Sequence, residues 1–160
     1  MRAVDETAGL VIRYDGRLAE TPYSSSFGGA SEDAANVWGT DTDEEHPYLC
    51  GVEDPYESYA DDINSRAHWT VRYSARELDS LLHSEGYGTS TSVDYLELEY
   101  SDLGNVIRVT IHWENGQTNS LRPSGSGAIR SVLGLNSIRF TVNGETPDGS
   151  ARARSGDGSY

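Results

Sequence analysis

The chain has 160 residues, enough for one domain, and 36% of them are hydrophobic, below the globular norm of about 45–50%, so a loop-rich domain with a modest core is expected. Its net charge is −14, from 26 acidic and 12 basic residues, all of the latter arginine. Such a surface repels nucleic acid and anionic lipid, and no stretch approaches the ~20 apolar residues that span a bilayer, so neither a nucleic-acid partner nor membrane insertion is expected. The acidity reads first as a solvated surface and second as a means of recruiting a cation or basic partner. Cys50 stands alone, which excludes an internal disulfide and a four-cysteine zinc site. Residues 1–20 carry Asp5, Glu6, Arg13 and Asp15 and no apolar h-region, so the chain is read as having no export signal of its own.

In chain order, Ala8–Tyr14 (AGLVIRY) predicts a strand, Asp15-Gly16 a tight hairpin turn, and Leu18–Tyr23 the returning strand. Ser24-Ser25-Ser26-Phe27-Gly28-Gly29 predicts a flexible loop. Ser31 is a candidate N-cap for a short helix through Ala34, Ala35, Val37 and Trp38, ended by Gly39. Thr40–Glu45 is an acidic surface loop, Pro47–Val52 an extended buried segment, and Glu53–Asn64 an irregular acidic loop. His68–Tyr73 (HWTVRY) alternates like a strand. Ser74 with Glu77 three residues later forms a capping box, opening a helix with Leu78, Leu81 and Leu82 on one face and Gly86 at its end.

Ser92–Tyr100 and Val106–Trp113 alternate as strands around Gly104-Asn105. Asn115-Gly116 turns the chain into Gln117–Leu121. Ser124–Leu133 predicts a last helix, Ser137–Val142 a last strand, and residues 143–160 a disordered tail. The sum is an α+β domain over 1–142, mostly antiparallel, with three short helices.

Few patterns carry chemistry. His46 and Cys50 are four apart, but Pro47 opposes the helix that would bring them together, and His68, His83 and His112 are scattered, so no metal site or other cofactor is expected. The acidic loops lack the EF-hand pattern. Ser24–Ser26 has no glycine two residues before it, unlike a nucleophile elbow. Glu97 and Glu99 lie on the polar face of a strand and Glu53 and Asp54 in a loop, so no carboxyl stands out as the raised-pKa acid of a glycan-cleaving enzyme.

Several of these segments, taken in order, resemble one family. Tyr14-Asp15-Gly16-Arg17, Tyr23-Ser24-Ser25-Ser26-Phe27-Gly28-Gly29, Val37-Trp38-Gly39, Pro47-Tyr48-Leu49 and Val52-Glu53-Asp54-Pro55-Tyr56 look like the SpoIID/LytB domain. That family has a hairpin, a Ser/Gly loop, a Trp-containing segment and a PYL…V-x-D-P segment. Trp69 with the helix Ser74–Leu82, and Ile129–Leu135 with Ser137–Phe140, resemble the following blocks. The resemblance covers roughly residues 4–142.

It implies peptidoglycan work at the bacterial cell envelope or outside it. Sporulation protein D members are lytic transglycosylases acting on denuded glycan; amidase enhancer members stimulate an N-acetylmuramoyl-L-alanine amidase. The family glutamate lies on a helical motif upstream of the hairpin, and a Gly-His-Gly-rich motif lies downstream; neither has a counterpart here, so no catalytic residue is assigned and the chain alone is expected to be inactive.

The resemblance makes peptidoglycan glycan strands the expected ligand and a cell-wall amidase the expected protein partner. Tyr23 and Trp38 present flat faces that could stack on a sugar or serve as core. Ser24, Ser25 and Ser26 could bond hydroxyl and N-acetyl groups or form only a turn, and Gly28 and Gly29 permit close backbone approach. Three readings follow: a partial wall-cleaving domain lacking its acid, a non-catalytic activator of an amidase, and an unrelated acidic domain with a protein partner.

Overall fold

The computed structural model describes residues 2–39, 46–60, 63–88, 90–143 and 150–153. Its core is a four-stranded antiparallel sheet in the order β5-β4-β3-β6, built from β3 (Val93–Tyr100), β4 (Val106–Trp113), β5 (Thr118–Leu121) and β6 (Ser150–Ala153). In β3 the buried residues are Val93, Leu96, Leu98 and Tyr100; in β4 they are Val106, Val109, Ile111 and Trp113. Each series contains one step of three where strict alternation gives two. The ladder accounts for both: its register shifts between Val93 and Tyr95, and again opposite Tyr100, where Glu99 faces Arg108 and Tyr100 faces Val106. Each bulge turns an extra residue aside and returns the apolar set to the core face.

That face is covered by α3 (Ala75–Ser84) and α4 (Ile129–Val132). Leu78, Leu82, Ile129 and Val132 pack with Leu96, Leu98, Ile111 and Leu121 into one buried cluster. The capping box at Ser74 forms as expected: Ser74 Oγ accepts from the Glu77 amide at 3.3 Å, and Glu77 Oε2 accepts from the Ser74 amide at 2.8 Å. Gly86 ends this helix region with φ +88°. The last helix is shorter than the expected 124–133; the Ser124 hydroxyl instead donates to the Val37 carbonyl.

The N-terminal third is extended chain with α1 (Arg2–Glu6), β1 (Arg13–Tyr14), β2 (Arg17–Leu18) and α2 (Ala34–Trp38), none of it in the main cluster. The Asp15-Gly16 turn forms, with both residues at positive φ, but the hairpin is only two residues deep. Leu10, Val11 and Ile12 are exposed; among the described residues no sheet covers the apolar face that suggested longer strands, and an isolated hairpin is marginal. Ser31 is not the cap of α2. Its hydroxyl accepts from the Val52 amide at 3.0 Å, while Asp33 takes the N-cap position and accepts from the Gly51 amide at 2.6 Å.

Pro47–Val52 is not a buried extended segment: Pro47 and Tyr48 form a turn closed by the Leu49 amide donating to the His46 carbonyl at 2.9 Å, and Val52 is 62% exposed. Among the described residues neither His68–Tyr73 nor Ser137–Val142 joins a ladder, although the Ile138 carbonyl accepts from the Val106 amide at 2.8 Å. Four residues of the expected tail, Ser150–Ala153, pair with Leu96–Glu99 as β6. Residues 144–149 and 154–160 of that tail, and 40–45 of the acidic loop, lie outside the described residues. Among the described residues no helix is long and apolar enough to cross a membrane.

One buried side chain helps fasten the N-terminal loops to the sheet, beside the Ser101 and Ser124 hydroxyls, which donate to Glu32 Oε2 and to the Val37 carbonyl. Asn105, 2% exposed, donates through Nδ2 to the Ser31 carbonyl and to Glu32 Oε2, each at 2.9 Å. From that anchor, segments 29–34 and 49–54 run side by side, joined by Ser31 N–H to Val52 O at 2.9 Å and Asp54 N–H to Gly29 O at 2.8 Å. The second of these segments leads directly into a 3-10 turn at Glu57–Ala60.

Candidate functional site

The Ser/Gly loop is not free chain. It wraps around the carboxylate of Glu57, which the turn after Asp54-Pro55-Tyr56 delivers to it. Glu57 Oε1 accepts from the Phe27 amide at 2.8 Å and from the Ser26 hydroxyl, and Oε2 accepts from the Gly29 amide at 2.7 Å. Gly28 at φ +71° and Gly29 at φ +103° allow the successive amides to turn toward one centre. A Cβ on Gly28 would stand 2.6 Å from Arg139 Cδ, so the loop also needs glycine for its approach to Arg139.

Two further bonds set the loop's outer side. Ser24 Oγ donates to the Ser26 carbonyl at 2.9 Å, and Asn64 Nδ2 donates to the Ser25 carbonyl at 2.6 Å. Partial burial pushes the Glu57 pKa up, but the Ser26 hydroxyl and the amides of Gly29, Gly28 and Phe27 outweigh it and hold the carboxyl below its ordinary value.

Beside this loop opens a cleft of about 1750 Å³. It is lined by Ser26, Gly28, Gly29 and Glu57, by the segment Arg66–Tyr73, by Arg139 and Phe140, and by core residues such as Leu98 and Val109. Trp69 and Phe140 rings lie 6.3 Å apart, and the Tyr73 hydroxyl is tied to the Leu133 carbonyl at 2.9 Å. The cleft thus offers aromatic faces, arginines and a loop with exposed polar groups, the mixture that suits a polar ligand with flat apolar faces.

Of the expected glycan-contacting residues, Ser26, Gly28 and Gly29 line the cleft, whereas Tyr23, Ser24, Ser25 and Trp38 do not. Tyr23 is 96% and Trp38 52% exposed, so neither ring is a core residue. Glu57 was not singled out from the sequence, and Trp69 was named there only as part of a block of the family resemblance, not as a site residue. Glu57 sits in a stretch that reads as an irregular acidic loop, and Trp69 in one that reads as a strand. The available signal was local: Asp54-Pro55 before Glu57 marks a turn that can present a side chain.

The cleft-lining carboxyls among the described residues are Asp54, Glu57 and Glu77. Hydrogen bonds from the Ser74 hydroxyl and amide hold Glu77 below its ordinary value as well. Two carboxylates held ionised suit structural or ligand-orienting work, since a glycosidic general acid needs a raised pKa. Glu97 and Glu99 lie on the sheet's outer surface, where Glu97 meets His112 at 2.9 Å and Glu99 meets Arg108 at 3.4 Å. His46 faces Glu20 at 3.7 Å, and the Cys50 thiol donates to the Pro47 carbonyl at 3.3 Å. Among the described residues no three His, Cys, Asp or Glu side chains converge as a metal site.

No family model matches the chain, and no solved structure matches it. Among curated proteins it is similar to the amidase enhancer of Bacillus subtilis (strain 168), 33% identical over 79 residues. The match supports a SpoIID/LytB-related family for this chain. It covers 49% of the chain and 10% of that relative's length.

The segments that carry the SpoIID/LytB resemblance are brought together in space. The hairpin packs on the PYL segment through Tyr14 and Tyr48, whose rings lie 4.8 Å apart, and the Glu20 amide donates to the Tyr48 hydroxyl at 2.9 Å. The V-E-D-P-Y segment in turn carries Glu57 to the Ser/Gly loop.

Proposed function

We propose that this chain is a cell-wall module that holds peptidoglycan glycan strands in the cleft beside Ser26–Gly29 and assists a cell-wall amidase, without cleaving glycan itself. The observation that carries the reading is the convergence of the Ser26–Gly29 loop, Trp69, Phe140 and Arg139 on one cleft. With the Ser26 hydroxyl and the Phe27 and Gly29 amides engaged by Glu57, what the cleft offers a sugar bearing N-acetyl substituents is aromatic faces, guanidinium donors and a backbone wall of fixed shape. The likeness to a protein named amidase enhancer supports the amidase half of the proposal. Tyr23 and Trp38, exposed outside the cleft, supply further stacking faces for a long strand.

The proposal gives Glu57 and Glu77 structural roles rather than that of a proton donor: each is engaged by hydroxyl and amide donors and held below its ordinary value. The site of action under this proposal is the cell envelope or the extracellular face.

Co-sedimentation with purified peptidoglycan, paired with an amidase assay, tests the proposal. Binding together with a faster amidase and no release of anhydro-muropeptides is the expected result. Anhydro-muropeptide release would restore the lytic transglycosylase reading. Absence of both binding and stimulation would leave an acidic domain with some other partner.

A further inference from the structure

We propose that Glu57 is the positioning residue of the cleft: its carboxylate holds the Ser26–Gly29 backbone in place as one wall. The inference rests on the functional reading above for what the wall contacts, but its structural half stands independently. Glu57 is 28 to 31 residues from its partners in sequence, so the contact closes a long loop. Among the described residues the other side-chain bonds of the segment Ser24–Gly29 do not reach the Phe27 and Gly29 amides: the Ser24 hydroxyl bonds locally to Ser26, and Asn64 holds the Ser25 carbonyl. All three donors reach one carboxyl group, and each bond to an ionised acceptor is roughly twice as strong as a neutral one.

Neutralising the group removes that advantage and leaves inward-facing amides with a poorer acceptor. A glutamine cannot substitute fully, because its NH₂ would meet N–H donors head on. The charged or titratable neighbours sharing the cleft are Asp54, Arg66, His68, Arg72, Tyr73, Glu77 and Arg139. The carboxyl is held below its ordinary value, so the wall is intact through neutral and mildly acidic pH and is released as pH falls through the folded-state pKa of Glu57.

The test is an amide NMR titration with pH on the whole chain, comparing wild type with Glu57→Gln and Glu57→Asp, alongside binding to denuded glycan oligomers. In wild type the Phe27 and Gly29 amides are expected to shift together on acidification below about pH 4.5; in E57Q that shift disappears and glycan affinity falls about tenfold or more, while E57D retains most of both. Ser26→Ala provides a variant that keeps the fold even if E57Q does not: removing one donor moves the Glu57 titration upward.

Loop amides unaffected by E57Q, or a Glu57 titration unmoved by S26A, would overturn the proposal. So would an E57Q variant whose loop amides move while its glycan affinity stays within twofold of wild type. Failure of wild type to bind glycan would sink the functional reading alone, and the amide titration would still decide the positioning role.

Discussion

Replacing Asn105 by alanine removes the clip between the sheet and the loops that carry the site. Its Nδ2 makes two bonds at 2.9 Å, one to the neutral Ser31 carbonyl and one to the Glu32 carboxylate, in a setting only 2% exposed. A neutral hydrogen bond contributes about 0.5–1.5 kcal/mol and one to a charged group about 1.5–3 kcal/mol, so the loss is about 2–4 kcal/mol. The Ser101 hydroxyl still donates to Glu32 Oε2 at 2.5 Å, which argues for the lower half of that range. Against a typical total stability of about 5–15 kcal/mol, the change is large.

At about 2–4 °C per kcal/mol for a chain of this size, the melting temperature should fall by about 4–12 °C in a calorimetric scan. Hydrogen exchange adds the spatial signature: amides of Ser31 and Asp54 should lose protection more than those of β3 and β4. A shift under about 2 °C, or a uniform loss of protection, would refute the view that Asn105 specifically fastens the N-terminal loops.

Other outcomes follow from the same structure. Leu98→Ala, at a fully buried position in the central strand, should cost about 2–5 kcal/mol by chemical denaturation. Gly88→Ala should destabilise markedly, because Gly88 has φ +52° and its added Cβ would stand 2.4 Å from the Trp113 ring; a neutral result would show that the ring can move aside. Acid should weaken the fold through Glu57 and Glu77. Both pKa values are depressed, so their stabilising contributions are present above about pH 4.5 and are lost as pH falls through the folded values. The double variant E57Q/E77Q should therefore show a flatter stability profile below pH 4.5 in a pH series of melts.

Legibility in the sequence followed the presence of a packed partner. The strands at Val93–Tyr100 and Val106–Trp113 and the helix at Ala75–Ser84 were readable because period and capping signals agree with the face each buries. The bulges were not readable, since the apolar step of three arises from the ladder itself. HWTVRY and SIRFTV carry strand composition but gain no ladder among the described residues, and AGLVIRY gains one only at Arg13–Tyr14; β-propensity without a neighbour specifies little. Ser150–Ala153 is the reverse case: a segment of poor strand formers recruited by the free edge of β3.

The candidate site divided similarly. Ser26, Gly28 and Gly29 were found through their motif, because the motif is local. Glu57 was missed because its role is defined by a partner 28 to 31 residues away. Trp38 showed the limit of aromatic counting: its ring could belong to a core or a surface, and five residues of helix leave it exposed.

The central claim is that glycan is held against the Ser26–Gly29 wall. An ¹⁵N–¹H titration of the whole chain with denuded glycan oligomers tests it directly, residue by residue. The account predicts saturable shifts at the amides of Ser26, Phe27 and Gly29 and at the Trp69 indole, with the β4–β5 turn around Asn115 silent. Shifts confined to the outer sheet face near Tyr95 and His112, or none at millimolar glycan, would contradict it.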